Sequence, residues 1–305
     1  MQLLTVGSVA FDAIETPFGK SDKIIGGAGT YISLAASYFN KNQALVSVVG
    51  EDFPKDVLNG MVNRGIDIQG IQIPEGGKTF FWAGKYHNDM NSRDTLITEL
   101  NVLGTFDPFV PIAFRKAPFL MLGNLSPDVQ RKVVEQMELR PKLIAMDTMN
   151  FWMDIALEEL HKTLKLVDLL IVNDEEARQL TGEYALTKAA KQIFKLGPKW
   201  VIIKKGEHGA LLFGEDKIFY APALPLEEVF DPTGAGDTFA GGLMGYLSSQ
   251  NAISFDHLKK GVIAGSALAS FCVEKFGTQR LEEISREDIE NRMVEFHALS
   301  QFDLQ

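Results

Sequence analysis

Between Asp231 and Gly242 the chain runs Asp-Pro-Thr-Gly-Ala-Gly-Asp-Thr-Phe-Ala-Gly-Gly, a glycine-rich turn leading directly into an apolar helical period. Free N–H groups at a helix start, with the positive end of the helix dipole, make an anion site. Gly234 and Gly236 let the main chain approach a phosphate without Cβ collisions. Asp237 falls in the first helical turn, at the edge of that site. A carboxylate there is repelled by a bound phosphate, so its presence needs a reason. Taking the proton of an attacking hydroxyl supplies one. A simple capping acid is the plainer explanation, but the length of the string favours chemistry.

Other segments have the same double character. Gly26-Gly27-Ala28-Gly29-Thr30-Tyr31 puts two glycines before a helix, where substrate hydroxyls can approach the backbone. A dinucleotide-binding loop is the rival, but no adequate strand precedes it and its glycine spacing is incomplete. Asp12 closes the run Gly7-Ser8-Val9-Ala10-Phe11, and taken alone it is a turn aspartate. Asn173-Asp174-Glu175-Glu176 follows an apolar strand and opens a helix, as a capping asparagine with first-turn acids would. Lys204-Lys205-Gly206-Glu207-His208-Gly209 lies between two strands and is locally a β-turn. His87, His161, His208, His257 and His297 form no metal-ligand spacing. Phe80, Phe81 and Trp82 suit packing better than a stacking platform.

The elements that must position these residues follow from periodicity. Strand-like runs are Leu3–Val9, Ala44–Val49, Phe119–Leu122, Leu143–Met146, Leu169–Val172, Val201–Ile203 and Ala210–Phe213. Helix-like segments alternate with them: Thr30–Phe39, Asp56–Arg64, Asp128–Leu139, Asp154–Leu164, Asp174–Leu180 and Ala189–Leu196. After Phe230 the chain is helical, over Ala235–Ser248, Phe255–Lys275 and Arg286–Ala298. Such alternation predicts βαβ units and a mostly parallel sheet covered on both faces. Ligands then bind beyond the carboxyl ends of the strands. Asp12–Ile25 and Thr79–Thr98 break the rhythm; the latter is two strands, Thr79–Tyr86 and Thr95–Leu100, around the turn-like His87–Asn91. Together they suit a small β-sheet lid. Gly241, Gly242 and Gly245 in one helix cost about 0.8–1 kcal/mol each relative to alanine, which points to close backbone packing or a ligand.

Composition bounds the function. With 305 residues, 46% of them hydrophobic, the chain can bury a large core. A formal net charge of -10 argues against nucleic acid or an anionic membrane as partner. Cys272 is the only cysteine, which excludes an intrachain disulfide and a cysteine zinc site and fits a reducing, cytoplasmic home. No apolar run reaches membrane-spanning length, and the first residues form a strand rather than a signal peptide.

With these segments in hand, the sequence resembles the ribokinase-like (PfkB) carbohydrate kinases over nearly its whole length. The string Asp231–Asp237 is similar to the family's C-terminal signature, differing at Pro232 in a way some members share. The resemblance implies one ribokinase-like α/β kinase domain over 1–305, with lid segments near 12–25 and 79–100. It implies ATP as phosphoryl donor and Mg²⁺ as cofactor. Gly234, Ala235 and Gly236 would form the anion hole and Asp237 the catalytic base. Asp12, Gly26, Gly27 and Tyr31 would contact substrate. Asn173, Lys204, Gly206, Gly209 and Gly236 would line the ATP side. Glu176 would act on Mg²⁺ through water, and Asp231 and Thr233 would hold a monovalent cation such as K⁺. The family usually has asparagine where this chain has Tyr31, and the exchange favours a substrate with an apolar or aromatic portion over free ribose. A sugar and a nucleoside remain competing acceptors. A non-catalytic nucleotide- or sugar-binding regulator and a nicotinamide-dependent dehydrogenase are the rivals from other classes. A homodimer is compatible with the resemblance.

Overall fold

A computed structural model describes residues 1–90, 92–214 and 216–301. In chain order the elements are β1 (Leu3–Val6), β2 (Ala10–Thr16), β3 (Gly19–Gly26), α1 (Ala28–Ala36), β4 (Gln43–Val48), α2 (Lys55–Asn63), β5 (Ile66–Gln72), β6 (Phe80–Tyr86) and β7 (Arg93–Glu99). There follow β8 (Phe119–Leu122), α3 (Pro127–Glu135), β9 (Leu143–Asp147), α4 (Asn150–Ile155), α5 (Leu157–Leu164), β10 (Leu169–Asn173), α6 (Asp174–Thr181), α7 (Leu186–Leu196) and β11 (Trp200–Lys204). The chain ends with β12 (Ala210–Gly214), β13 (Lys217–Ala221), α8 (Ala235–Ser248), α9 (Phe255–Cys272), α10 (Gln279–Glu283) and α11 (Arg286–Ser300).

Nine strands form the main sheet in the order β13-β12-β11-β10-β9-β8-β1-β4-β5. All neighbours pair parallel except β11–β12 and β12–β13. Its central strands are mostly apolar because both faces are covered. Leu4, Val6, Leu120, Ile144 and Leu170 face one core with residues of α3, α5, α6 and α7. Their alternates Leu3, Phe119, Met121, Leu143 and Leu169 face a second core with α1, α8 and α9. This is the expected ribokinase-like α/β architecture, and the alternating βαβ pattern is what made it legible.

The second sheet has the order β3-β2-β6-β7, with β2 and β6 parallel and the outer pairs antiparallel. The two segments that break the βα rhythm, Asp12–Ile25 and Thr79–Thr98, supply all four strands. Within the turn His87–Asn91, Asn91 lies outside the described residues. Asp154–Leu164, expected as one helix, is two: Ala156 at φ -141°, ψ 31° is non-helical and separates α4 from α5. The edge strands β5 and β13 went unanticipated. The stretch before Gly26–Gly29, too short for a strand on sequence alone, is the end of the eight-residue β3, so only the incomplete glycine spacing counts against a dinucleotide loop there.

The glycines of α8 meet backbone, as their helical cost suggested. A methyl group added at Gly241 would lie 2.3 Å from the Ile32 carbonyl oxygen, and one at Gly245 would lie 2.7 Å from the Ala36 α-carbon. On the other side, Gly242 abuts the Gly265 α-carbon of α9 at 2.9 Å by the same measure. Thus α8 is held against α1 and α9 main chain to main chain.

Candidate active site

The carboxyl ends of β9, β10 and β11 terminate at Asp147, Asn173 and Lys204. Register pairs Asn173 with Lys204 and Ile171 with Asp147, so three polar side chains emerge along one sheet edge. The start of α8 faces this edge. Gly234 precedes α8 in the left-handed region, at φ 74°, a conformation costly to any residue with a Cβ. The Ala235 amide bonds the Pro232 carbonyl at 3.2 Å and the Thr238 amide bonds the Gly234 carbonyl at 2.7 Å. Between them, the Gly236 and Asp237 amides have no backbone acceptor among the described residues, as first-turn geometry dictates. They are the donors open to an anion.

Asp237 is partly exposed at this turn. Burial pushes its carboxyl up to about 7; Asp147 adds to the rise, while Lys204 and Arg93 oppose it. Lys204 Nζ lies 3.6 Å from Asp147 Oδ1 and 2.9 Å from the position a Gly236 methyl would take. Burial works against the Lys204 charge, but Asp147, Glu176 and Asp237 outweigh it and raise its pKa. Asp147 is itself raised by burial and drawn back by Lys204 and the Thr148 amide.

Asn173 and Glu176 form a reciprocal cap. The Glu176 amide donates to Asn173 Oδ1 at 2.8 Å, and the Asn173 amide donates to Glu176 Oε2 at 2.7 Å. The capping function foreseen as the alternative is therefore present. It does not turn Glu176 away from the site: burial pushes its carboxyl up to about 7, with Lys204 opposing and Asp147 adding.

Asp12 enters from the small sheet. It is buried, and its carboxylate lies against Gly26 so closely that an added methyl there would be 1.8 Å from Oδ2. Burial pushes it up to about 7, with Asp231 and Asp237 adding and a hydrogen bond from the Gly27 backbone opposing. Asp12, Gly26, Gly27 and Asp237 are thus brought together.

Tyr31 is placed otherwise than a substrate wall would be. Its side chain is 1% exposed, its hydroxyl has no hydrogen-bond partner among the described residues, and its ring lies beneath Gly234. It supports the loop from behind. Asp231 is fully buried; its Oδ1 accepts the Thr233 amide at 2.8 Å and its Oδ2 the Gly277 amide at 2.9 Å. Gly206 and Gly209 bound the short turn after β11, both at positive φ.

Three residues escaped the sequence reading. Asp147 ends a strand that was recognised, and the rule placing ligands at carboxyl ends could have found it. Tyr86 and Arg93 lie opposite one another on β6 and β7. Nothing in a hairpin sequence announces that the Tyr86 hydroxyl meets Thr233 or that the Arg93 charge reaches Asp237 and Glu176. Among the described residues, no group of three or more His, Cys, Asp or Glu is arranged to hold a metal by itself, and no helix is long and apolar enough to cross a membrane.

Comparison with known proteins gives this geometry a context. The pfkB family carbohydrate kinase model matches residues 3–284. A cytidine kinase of Thermococcus kodakarensis is 31% identical over 254 residues, 81% of this chain and 88% of that protein. A nucleoside kinase of Methanothermobacter thermautotrophicus is 26% identical over 307 residues, 91% of each. The structure of a candidate ribokinase II from E. coli in complex with ATP and Mg²⁺ superposes with a TM-score of 0.80 at 20% identity, covering 96% of this chain and 99% of that one.

Proposed function

The chain belongs to the pfkB family of carbohydrate kinases and is a kinase, and on that premise we propose that it transfers the γ-phosphoryl group of ATP to a hydroxyl of a nucleoside. The observation that carries the chemistry is the convergence of Asp237, the open amides of Gly236 and Asp237, and Asp12 across the Gly26–Gly27 turn. Similarity to the two nucleoside-directed kinases favours a nucleoside over a free sugar. The sugar reading remains the second, because nothing in the Asp12 and Gly27 contacts demands a base.

In this mechanism Asp12 accepts hydrogen bonds from acceptor hydroxyls and orients them. Asp237 takes the proton of the attacking hydroxyl. The Gly236 and Asp237 amides donate to the transferring phosphoryl oxygens. Acidic residues outnumber basic ones here: Asp147, Glu176 and Asp237 act on Lys204, Arg93 acts on Glu176 and Asp237, and Asp12 adds a further carboxylate beside Asp237. Such a donor set fits a nucleotide that arrives with its own magnesium, which supplies charge neutralisation on the phosphates. Glu176 is suited to a magnesium-bound water, since its second carboxylate oxygen makes no hydrogen bond among the described residues. Asp231 and Thr233 shape the loop where a monovalent cation would bind; faster turnover in potassium than in sodium at fixed ionic strength would support that role.

The test is ADP release with MgATP across cytidine, uridine, adenosine, inosine, ribose and fructose. The expected result is a kcat/KM for at least one nucleoside well above that for ribose. Efficient turnover of a sugar with no nucleoside accepted would replace this reading by the second.

A further inference from the structure

A largely buried ammonium held by one long ion-pair contact is unusual, because desolvation without close compensating contacts is costly. The Lys204 side chain is 19% exposed, and among the described residues its Nζ has the carboxylate of Asp147 as ion-pair partner at 3.6 Å. That is longer than a normal charge-assisted hydrogen bond. The Nζ instead rests on the α-carbon side of Gly236, in the middle of the turn whose amides are open. Only a residue without a side chain leaves room for it there. Asp147 is fixed in turn: it ends β9, its side chain is 8% exposed, and its Oδ1 accepts the Thr148 amide at 3.1 Å.

We propose that Lys204 is a catalytic residue whose ammonium contacts the phosphoryl group in flight, and that Asp147 is the positioning residue that aims it. In the transfer, the bond from the acceptor oxygen to the γ-phosphorus forms while the bond from that phosphorus to the β–γ bridging oxygen breaks. The bonding pair leaves with ADP, and the acceptor's proton goes to the Asp237 carboxylate. Lys204 keeps its protons throughout and donates N–H groups to the non-bridging oxygens. Its stem starts at the end of β11, beside the turn Gly206–Gly209, yet the ammonium is delivered to α8. A contact to the transferred group follows from that direction, whereas a contact to the nucleoside end of ATP does not. Without Asp147, the four-carbon stem would carry a mobile point charge.

The proposal rests on the kinase assignment, not on the identity of the acceptor, so the deciding measurement omits the acceptor. Calorimetry compares binding of adenylyl imidodiphosphate and of ADP, each with Mg²⁺, to wild type and variants. Lys204→Met should weaken the triphosphate analogue about tenfold, the size of a lost charge-assisted contact, and ADP less than about twofold. Asp147→Asn should show the same selectivity with smaller amplitude, and should add nothing in the Lys204→Met background. With the best acceptor from the nucleoside panel, kcat of Lys204→Met should fall about 10²–10³-fold. Equal weakening of both nucleotides, or of neither, overturns the catalytic contact. A full Asp147→Asn effect in the absence of Lys204 overturns the positioning role. Since Lys204→Met strands a buried carboxylate, the charge-neutral double variant Lys204→Met/Asp147→Asn serves as the folded reference if the single variant does not fold.

Discussion

The Thr233 hydroxyl donates to the Tyr86 hydroxyl at 3.2 Å, joining the loop before α8 to the end of β6. Tyr86 is buried while all of β7 beside it is exposed, so this is a polar tie between the small sheet and the candidate phosphoryl site. If the small sheet acts as a lid, the tie is what its closure makes. Tyr86→Phe keeps the ring and removes the tie. Hydrogen exchange over residues 80–99 should then quicken about five- to tenfold in the free protein, the size of one lost hydrogen bond. The acceptor KM should rise with little change in kcat. Unaltered exchange would mean that the contact does not hold the sheet.

Asp237→Asn should lower kcat by about 10²–10⁴-fold, the range for a general base, without weakening nucleotide binding. A variant with near-wild-type turnover removes Asp237 from that role. The same substitution has a signed effect on stability. The folded carboxyl is raised from 3.8 to about 7, so its contribution is fully present below about 4 and is lost as pH rises through 7. The Tm advantage of Asp237→Asn over wild type should therefore grow between pH 4 and 7 and level off above. A constant difference across that window would contradict the raised pKa.

The pH dependence of kcat/KM follows from the same groups. Asp237 must be ionised to accept a proton, and Asp12 serves hydroxyls best as a carboxylate; burial sets both at about 7. The rate should fall on acidification below neutrality with a limb steeper than one proton. A flat profile from pH 5.5 to 7.5 would rule out ionisation of either group as a requirement.

Tyr31→Phe removes a buried hydroxyl that has no partner among the described residues. Orphaned groups of this kind cost about 1–3 kcal/mol, so Tm should rise by about 2–4 °C. Nucleoside KM should stay within about threefold, because the ring remains beneath Gly234. A falling Tm, or a large change in KM, would show that the hydroxyl is used.

The large sheet was legible because its strands are buried on both faces and are written as uninterrupted apolar runs, as Leu169–Val172 shows. Asp237 and the Gly234–Gly236 turn were legible because residues adjacent in sequence form the whole feature. The role of Tyr31 was not. Its position in α1 is evident from the sequence, but whether a helical residue faces substrate or the underside of Gly234 depends on a contact across two hundred positions. The Lys204–Asp147 pair had the same difficulty: each strand was found, and only the register of the assembled sheet brings their ends together.

The main-chain contact between α1 and α8 divides the molecule's labour. Gly27 opens α1, Asp237 lies in the first turn of α8, and Gly241 and Gly245 let the two helices approach backbone to backbone. On the proposed mechanism, substitutions on β2, β6 and β7 would alter acceptor preference while the α1–α8 pair that carries Asp237 stays in place. A scaffold of this kind can diversify its clientele without relearning its reaction.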